Sequence, residues 1–410
     1  MSKRVVVIGG GAAGLMASVA AAENGASVTL LEPNERLGKK VNITGKGRCN
    51  LTNDCSTEEM LRCVPGNGRF LYSALSRFDC RDTMAFFEAL GVPLKVERGN
   101  RVFPVSDRAF DVTAALERRI RALGVRWARR RAEEICTVEG RVRAVRCDRG
   151  DYPADAVILA TGGVSYPATG STGDGYRLAA VLGHEIVPPR GSLVPLECAG
   201  DDCLRMQGLA LKNVAVTVRD GKGKAVFHDF GEMLFTHFGV SGPVILSASA
   251  HLRDWEKNDY TLEIDLKPAL DEPTLDARIL RDIAAGPNRE LGSLLGGLVP
   301  HSMESVLCRR LELEASAKLH SLKKEQRRAL IGELKRFRLS LRCPRPAEEA
   351  IVTAGGVKVG QVVPATMGSK LVEGLYFAGE ILDVDAYTGG FNLQIAWATG
   401  HLAGVCAAQE

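Results

Sequence analysis

Three glycines near the N-terminus have the spacing of a phosphate-binding turn. The segment Gly9-Gly10-Gly11-Ala12-Ala13-Gly14 fits G-x-G-x-x-G and directly follows the β-branched run Arg4–Ile8. In this pattern the first glycine turns the chain, the second lets a pyrophosphate approach the backbone, and the third lets a helix pack closely on the strand. The free N–H groups at the start of that helix would bind the phosphates.

An acidic residue, Glu32, stands at the end of the next predicted strand, residues 27–32. An alanine-rich helix through Asn24, ended by Gly25, connects the two strands and completes a βαβ unit. Glu32 would accept hydrogen bonds from the hydroxyls of an adenosine ribose. Because an acidic residue here disfavours a 2′-phosphate, the unit predicts FAD or NAD rather than NADP.

The polar segment that follows, residues 37–53, is rich in glycine and cations and has no helical or strand period. We predict a loop whose glycines allow close approach to a ligand and whose side chains wrap a diphosphate and a ribityl chain. A solvated basic loop is the alternative interpretation. The predicted ligand contacts in this loop come from Lys40, Thr44, Gly45, Gly47, Arg48 and Asn50.

Two further apolar runs, residues 156–160 and 374–378, each end in glycines and predict buried parallel strands. After the second run, a helix beginning near Gly390 would point its N–H groups at the pyrimidine edge of a flavin, where negative charge develops on reduction. Glu380 would bind ribityl or phosphate groups through water; a strand end without a ligand is the alternative. Because a flavin and a ribityl arm explain all three segments, FAD is preferred over NAD.

The predicted FAD contacts thus come from four segments of the chain. They are Gly9, Gly11, Ala12, Ala13, Gly14 and Glu32, the loop residues given above, Thr161 and Gly162, and Gly379, Glu380, Asp385, Gly389, Gly390, Asn392 and Leu393. Two residues are candidates for catalysis. Tyr166 would lie at the sheet edge and could donate a proton, unless it only packs on Pro167. His237 is a substrate-side candidate, although its apolar neighbours favour a buried core or interdomain histidine.

The pattern of strand-like and helical segments along the chain predicts an α/β fold with an insertion. Residues 1–188 and 346–410 would form the FAD-binding domain, and residues 189–345 an inserted substrate or cap domain. Within the insertion, residues 211–218 and 260–266 look like strands, whereas residues 275–342 form a charged stretch that we predict to be helical. Proline pairs near 188 and 344 mark the two boundaries.

Composition narrows the function classes. The 410 residues carry a formal charge of only +4, and acidic and basic residues are interspersed, so the overall charge does not favour nucleic acid as a partner. We predict a small-molecule substrate. RNA binding through the basic residues of 309–342 is retained as an alternative. Eleven scattered cysteines, no signal-type segment and no membrane-length apolar run predict a cytoplasmic location. Histidine and cysteine spacing predicts no metal site, and the oligomeric state is left open.

Six segments of the chain are long sequence signatures: residues 40–53, 99–104, 160–167, 169–175, 234–237 and 378–392. In these segments the chain resembles a bacterial flavoprotein family that includes 3-dehydro-bile-acid double-bond reductases and proteins named as aminoacetone oxidases. The resemblance covers nearly the whole chain. One departure is Ala386, where the family usually has glycine.

The resemblance implies a glutathione-reductase-like FAD-binding Rossmann domain interrupted by a β-barrel-like and helical insertion. It also implies an FAD-dependent oxidoreductase that reduces a conjugated C=C bond, in a steroid-like or other enone, with NADH or NADPH. Amine oxidation with oxygen as acceptor is the alternative reaction. An RNA-binding flavoprotein is the alternative from another class.

Overall fold

The computed structural model describes residues 2–253 and 255–409. The chain divides into two compact units, one formed by Met1–Ser192 with Pro346–Glu410 and the other by Leu193–Arg345. The observed insertion therefore starts four residues later than the sequence predicts. Each unit is described by itself below.

The first unit contains thirteen strands and seven helices among the described residues. The strands are β1 (Arg4–Ile8), β2 (Ser27–Leu31), β3 (Thr52–Asn53), β4 (Leu94–Glu97), β5 (Arg101–Pro104), β6 (Arg126–Ala128), β7 (Ala132–Val138), β8 (Arg141–Cys147), β9 (Gly150–Pro153), β10 (Ala156–Leu159), β11 (Ile186–Ser192), β18 (Val352–Val357) and β19 (Leu375–Phe377). The helices are α1 (Ala12–Glu23), α2 (Thr57–Arg62), α3 (Tyr72–Arg77), α4 (Cys80–Ala89), α5 (Ala109–Ala122), α6 (Asp174–Val181) and α13 (Phe391–Gln409).

A five-stranded parallel sheet forms the core of this unit, in the order β19-β10-β1-β2-β6. Val5, Val7 and Ile158 are buried, as expected for strands covered on both faces. The strands predicted at 4–8, 27–32, 156–160 and 374–378 are all present, with ends shifted by one residue at most. Their C-terminal ends lie along one edge of the sheet, where ligands of such folds bind.

Helices α1 and α13 cover the sheet and pack against each other closely. Small residues make this approach feasible: a Cβ atom on Gly400 would lie 2.5 Å from the Ala13 oxygen, and one on Gly404 would lie 2.5 Å from the Ala17 oxygen. Both helices are apolar on most sides, which is typical of fully buried helices. The C-terminal helix thereby fixes the start of α1 and the loop before α13 to one another.

Three small antiparallel sheets complete the first unit. Strands β3, β5 and β4 form one, β7, β8 and β9 form a meander, and β11 pairs with β18 where the chain leaves and re-enters the unit. The segment predicted as an irregular loop contains a short 3-10 stretch, Val41–Gly47. Four residues at its end and just after it have left-handed backbone angles: Gly45, Lys46, Gly47 and Cys49. The glycines allow this tight path.

The second unit combines a closed barrel with helices. Its strands are β12 (Leu196–Cys198), β13 (Ala210–Asp220), β14 (Ala225–Phe235), β15 (Gly239–Ser241), β16 (Tyr260–Asp265) and β17 (Phe337–Pro344). Its helices are α7 (Asp202–Arg205), α8 (Pro243–Ser249), α9 (Glu272–Ala285), α10 (Leu291–Gly296), α11 (His301–Leu311) and α12 (Lys324–Lys335). The barrel order is β12-β15-β14-β13-β16-β17, which confirms the predicted barrel-like and helical insertion.

One secondary-structure prediction in this unit is wrong. The stretch 275–342 was expected to be helical to its end, but β17 begins at Phe337. Phe337, Leu339 and Leu341 are buried and alternate with exposed Arg338, Ser340 and Arg342, which is the period of a strand. No helix in the described part of the chain is long and apolar enough to cross a membrane.

Candidate functional site

The glycine-rich turn joins β1 to α1 and has three glycines with different surroundings. Gly9 has a φ of 105°, and a Cβ atom there would lie 2.4 Å from the Ala160 oxygen. On Gly14 it would lie 1.8 Å from the Gly9 oxygen, so this glycine lets the helix pack on the turn. On Gly11, the residue before the helix, it would meet no described atom within 4 Å. Open space therefore lies in front of the helix N-terminus, where a pyrophosphate would bind.

The Glu32 carboxylate lies beside this turn and is buried. One oxygen accepts the Gly10 N–H at 2.8 Å, and the other accepts the Asn34 N–H at 2.8 Å and its side-chain amide at 2.7 Å. Because a carboxylate oxygen has two lone pairs, the oxygen that accepts only the Gly10 N–H can still accept one further hydrogen bond. These contacts fix the position of the Glu32 carboxylate beside the turn.

An open cleft lies next to Gly9 and Glu32. Arg130, Arg131 and Ala132, which follow strand β6, form another part of its lining, as do Thr161 and residues of the 170–178 segment. Two buried polar atoms at the cleft, Arg130 Nε and Thr161 Oγ1, have no hydrogen-bond partner among the described residues. Such atoms fit a polar ligand in the cleft. Neither arginine is among the FAD contacts predicted from the sequence.

A polar cluster at the sheet edge brings together four distant segments. Lys40 Nζ lies 2.7 and 2.9 Å from the two Glu380 carboxylate oxygens and donates to Ser165 Oγ at 2.6 Å. Glu380 also accepts the Thr353 N–H at 2.7 Å. Both charged side chains are about one-fifth exposed. Lys40 therefore compensates the charge of Glu380, which removes the like-charge problem that a carboxylate beside a diphosphate would pose.

The Thr353 hydroxyl fixes the loop that carries Tyr166. Its Oγ1 accepts the Val164 N–H at 2.8 Å and the Ser165 N–H at 3.1 Å. A Cβ atom on Gly163 would lie 2.2 Å from the same oxygen, so the loop approaches Thr353 closely. Tyr166 follows with a φ of 53° and is partly exposed. A non-glycine residue in this left-handed conformation is strained by about 1–2 kcal/mol, and the network around Thr353 maintains it.

The loop between Gly379 and α13, which we call the distal loop, contacts the loop before β3 at the start of α13. The Asn50 amide, in the orientation that satisfies its hydrogen bonds, accepts the Gly390 N–H at 3.0 Å. The Thr52 hydroxyl donates to Gln394 Oε1 at 2.6 Å, and Asn53 donates to the Gly389 oxygen at 3.0 Å. Residues more than 330 positions apart in the chain thus lie side by side.

The other predicted FAD contacts at residues 379–393 make contacts that stabilise the distal loop. Asn392 accepts the Ala386 N–H at 2.9 Å and donates to the Ala386 oxygen at 2.7 Å. Asp385 is buried and accepts the Ser192 hydroxyl at 2.6 Å. Gly379 touches the first turn of α1, because a Cβ atom there would lie 2.7 Å from that of Ala13. Leu393 packs against the apolar core.

Two predicted site residues, Arg48 and Thr44, have different surroundings from those expected. Arg48 pairs with Glu97 and, at 2.6 Å, with Asp107, and its guanidinium lies 4.2 Å from the centre of the Phe103 ring. Thr44 donates its hydroxyl to the Val41 oxygen at 2.7 Å within its own turn. These partners hold the loop in its fold, and we therefore do not assign either side chain to the cofactor.

His237 lies in the turn between β14 and β15 of the second unit. Its apolar neighbours favoured a buried core residue, but the side chain is exposed, because the flanking Phe235 and Val240 occupy the barrel interior instead. Its ring contacts that of Phe238 with centres 5.0 Å apart. A role on the substrate side stays a prediction.

Cys49 is the one cysteine within a sequence signature, and it is completely buried. Burial raises the pKa of its thiol to about 12. Because the thiolate is the reactive form, Cys49 is chemically inert at neutral pH. In the part of the chain that the structure describes, no group of three or more histidine, cysteine or acidic side chains could hold a metal ion.

A comparison with protein families matches residues 3–406 to the HI0933-like protein Rossmann domain. The chain belongs to the HI0933-like family. This assignment agrees with the observed Rossmann sheet and with the glycine turn at its edge. It also confirms the flavoprotein family that the sequence signatures resemble.

Curated relatives match this HI0933-like chain over nearly its whole length. A 3-dehydro-bile acid delta(4,6)-reductase of Clostridium scindens is 33% identical over 99% of both chains. A ribosomal RNA dihydrouridine synthase of Haemophilus influenzae is 28% identical over 99% of this chain and 98% of its own. The protein of the same name in Escherichia coli is 29% identical, over 96% and 95%.

Solved structures share the fold at low sequence identity. A 3-ketosteroid delta1-dehydrogenase of Sterolibacterium denitrificans has a TM-score of 0.53 at 14% identity, covering 99% of this chain and 100% of its own. A 3-ketosteroid-delta4-(5alpha)-dehydrogenase of Rhodococcus jostii has a TM-score of 0.50 at 16% identity, covering 100% and 97%. The family, the fold and the reductase relative identify this protein as an oxidoreductase of the FAD-dependent type.

Proposed function

We propose that this protein binds FAD at the sheet edge and uses NADH or NADPH to reduce a carbon-carbon double bond conjugated to a carbonyl. The names of its relatives support the reaction. A delta(4,6)-reductase acts on carbon-carbon double bonds, and dihydrouridine is uridine whose ring double bond, conjugated to a carbonyl, has been hydrogenated. The observation that carries the cofactor proposal is the open space at Gly11 beside the buried Glu32.

Each group of site residues can be assigned to one part of FAD, from the adenosine end to the flavin ring. Glu32 would accept the ribose hydroxyls, and the unpartnered Arg130 Nε would meet the adenosine half in its cleft. The pyrophosphate would bind at the glycine turn, formed by Gly9, Gly11 and Gly14, and at the first turn of α1, which begins with Ala12 and Ala13. The Lys40–Glu380 pair would face the ribityl and phosphate groups, near Thr161, Gly162 and Gly379. The loop made by Asn50, Gly389 and Gly390 would face the flavin ring, with Asp385, Asn392 and Leu393 supporting it.

When bound, FAD would supply hydride chemistry, accepting a hydride from NAD(P)H and delivering it to the substrate carbon β to the carbonyl. The reaction also requires a proton at the α carbon. Tyr166 is our candidate donor because its strained loop is fixed by Thr353 and it lies at the sheet edge where substrates of this fold bind. The hydroxyl proton of tyrosine would be replaced from solvent, since the side chain is partly exposed.

We propose a steroid-like or other small enone as the first substrate class, on the basis of the reductase relative with 33% identity. The test is anaerobic turnover with NADH or NADPH and a conjugated steroid ketone, compared with the corresponding saturated ketone. Oxidation of the nicotinamide that requires the conjugated ketone supports the proposal. Oxygen consumption with an amino ketone, without any enone reduction, would instead favour the amine oxidase alternative.

A uridine within RNA is the second candidate substrate, because two full-length relatives are named as ribosomal RNA dihydrouridine synthases. The same hydride and proton transfers would apply to its conjugated ring. The test is incubation with ribosomal RNA and NAD(P)H, followed by mass measurement of the released nucleosides. A gain of two hydrogens on uridine is the expected product, and unchanged uridine would eliminate this candidate.

We also propose a cytoplasmic location. All eleven cysteines are free thiols in the structure. Thiols in this number persist in a reducing compartment. Fractionation of the source cells with immunodetection would test the location, and recovery with secreted proteins would contradict it.

A further inference from the structure

Most cations of the basic stretch at residues 309–342, the alternative RNA site predicted from the sequence, form ion pairs in the structure. Seven of its eleven lysines and arginines pair with acids, including Arg309 with Asp201 and Lys335 with Asp265, both within 2.7 Å. Its one aromatic residue, Phe337, is completely buried and offers no stacking surface. Cationic charge and an exposed ring together are the usual features of a surface for single-stranded nucleic acid.

A second arginine-rich segment, residues 118–149, lies in the first unit. It contains eleven arginines and four acidic residues, a net charge of +7 where the whole chain has only +4. Nine of these arginines are exposed. The segment runs from the end of α5 through the edge strand β6 into the β7-β8-β9 meander. Five of the arginines form ion pairs, four of them with acids outside the segment. The other six have no ion-pair partner among the described residues and carry the uncompensated positive charge.

Four residues near this edge define what we name the arginine-tryptophan surface: Arg118, Arg121, Arg126 and Trp127. Trp127 is 38% exposed on the edge strand. In the described part of the chain neither Arg118 nor Arg126 has an ion-pair partner, while Arg121 lies one helical turn after Glu117. The Arg126 guanidinium lies 5.3 Å from the centre of the Tyr152 ring. Because neighbouring residues of a strand point to opposite faces, Arg126 and Trp127 extend from the two sides of the edge strand.

We infer that the arginine-tryptophan surface binds RNA, with the arginines at phosphates and Trp127 stacked on a base. This inference rests on the second candidate of the proposed function and names the surface that would hold its RNA. Arginine suits phosphate because its planar fork donates two parallel hydrogen bonds. An exposed indole stacks on any base, which suits a contact that positions the strand without reading its sequence. Arg130 and Arg131 are excluded, since they line the cofactor cleft.

The experiment uses the FAD-loaded full chain and a short fluorescein-labelled single-stranded RNA of mixed sequence. Fluorescence anisotropy at several salt concentrations gives the dissociation constant and its salt slope. The variant R118Q/R121Q removes two exposed cations of the surface, and R328Q/R342Q removes two exposed cations of the second unit as a matched control. W127A removes the stacking ring, and W127F retains one.

We expect R118Q/R121Q to flatten the logarithmic salt slope by roughly 1.4, as for two lost phosphate contacts on a single strand. We expect W127A to weaken binding about tenfold or more, W127F to preserve it, and R328Q/R342Q to have no effect. Equal weakening by both double variants, or no binding by the wild-type protein at low salt, would overturn the inference. FAD content and the gain of two hydrogens on uridine in ribosomal RNA are measured in every variant. RNA binding that does not depend on this surface is thereby distinguished from absence of the uridine-reducing activity.

Discussion

Replacing Gly11 by alanine should separate cofactor binding from folding. Gly11 has φ −82° and ψ −168°, which alanine adopts without strain, and its Cβ atom would meet no described atom within 4 Å. The expected cost to stability is therefore only that of a weaker N-cap, about 1 kcal/mol or less. The same methyl group would occupy the space that we assign to the pyrophosphate.

The expected loss of FAD affinity follows from the free energy of one hydrogen bond to the phosphate that the methyl group would displace. A hydrogen bond to a charged group contributes about 1.5–3 kcal/mol, and about 1.4 kcal/mol corresponds to a tenfold change in Kd. We expect Gly11→Ala to raise the Kd for FAD at least tenfold. The measurement is titration of the FAD-free protein, followed by the change in flavin fluorescence, with the melting temperature recorded in parallel.

Gly14→Ala is the matched control. Its Cβ atom would lie 1.8 Å from the Gly9 oxygen, so helix and turn would have to separate by about 1.6 Å to reach ordinary contact. Overpacking of this kind costs about 1–3 kcal/mol, which exceeds the gain of at most about 1 kcal/mol in helix propensity. We expect a lower melting temperature for Gly14→Ala and not for Gly11→Ala. If Gly11→Ala binds FAD as tightly as the wild type, the assigned pyrophosphate position is wrong.

Three further predictions concern the surrounding side chains. Lys40→Met should weaken FAD binding about tenfold, because Glu380 loses its cation, whereas Lys39→Met should not; equal titrations of the two variants would contradict this. Cys49 should resist alkylation at neutral pH in the native protein and react after denaturation, as mass spectrometry of its peptide would show. Burial lowers the pKa of His184, so its contribution to stability is present above about pH 6.5 and is lost as the pH falls below that value. Denaturant unfolding should then show a weaker decline between pH 7 and 5 in His184→Asn; an unchanged decline would refute the role of His184.

Local sequence patterns predicted the βαβ unit well. Strand Arg4–Ile8, helix Ala12–Glu23 and strand Ser27–Leu31 each follow from residues within one short window. Apolar runs likewise predicted the strands that end at Leu159 and Phe377. In such cases propensity, burial pattern and turn chemistry all favour the same structure, so neighbouring residues contain the necessary information.

Contacts between residues far apart in the chain could not be predicted from local sequence patterns. Arg130 lines the cleft beside Glu32 only because β6 pairs with β2 in the parallel sheet. The ion pair between Lys40 and Glu380 joins residues 340 positions apart, and the Thr353 hydroxyl reaches the Tyr166 loop from a separate strand. Strand β17 was mistaken for helix because its arginines extend the charged helical stretch, although its buried residues alternate.

Anaerobic reduction and reoxidation of the bound flavin tests the central claim most directly. The purified, FAD-loaded protein is mixed with NADH or NADPH without oxygen, and the visible flavin absorbance is followed before and after addition of a conjugated steroid ketone. We predict bleaching by the nicotinamide and recovery of the absorbance by the conjugated ketone, with the saturated ketone ineffective. A protein that takes up no FAD, or a reduced flavin that no conjugated carbonyl compound reoxidises, including uridine in RNA, would contradict the account.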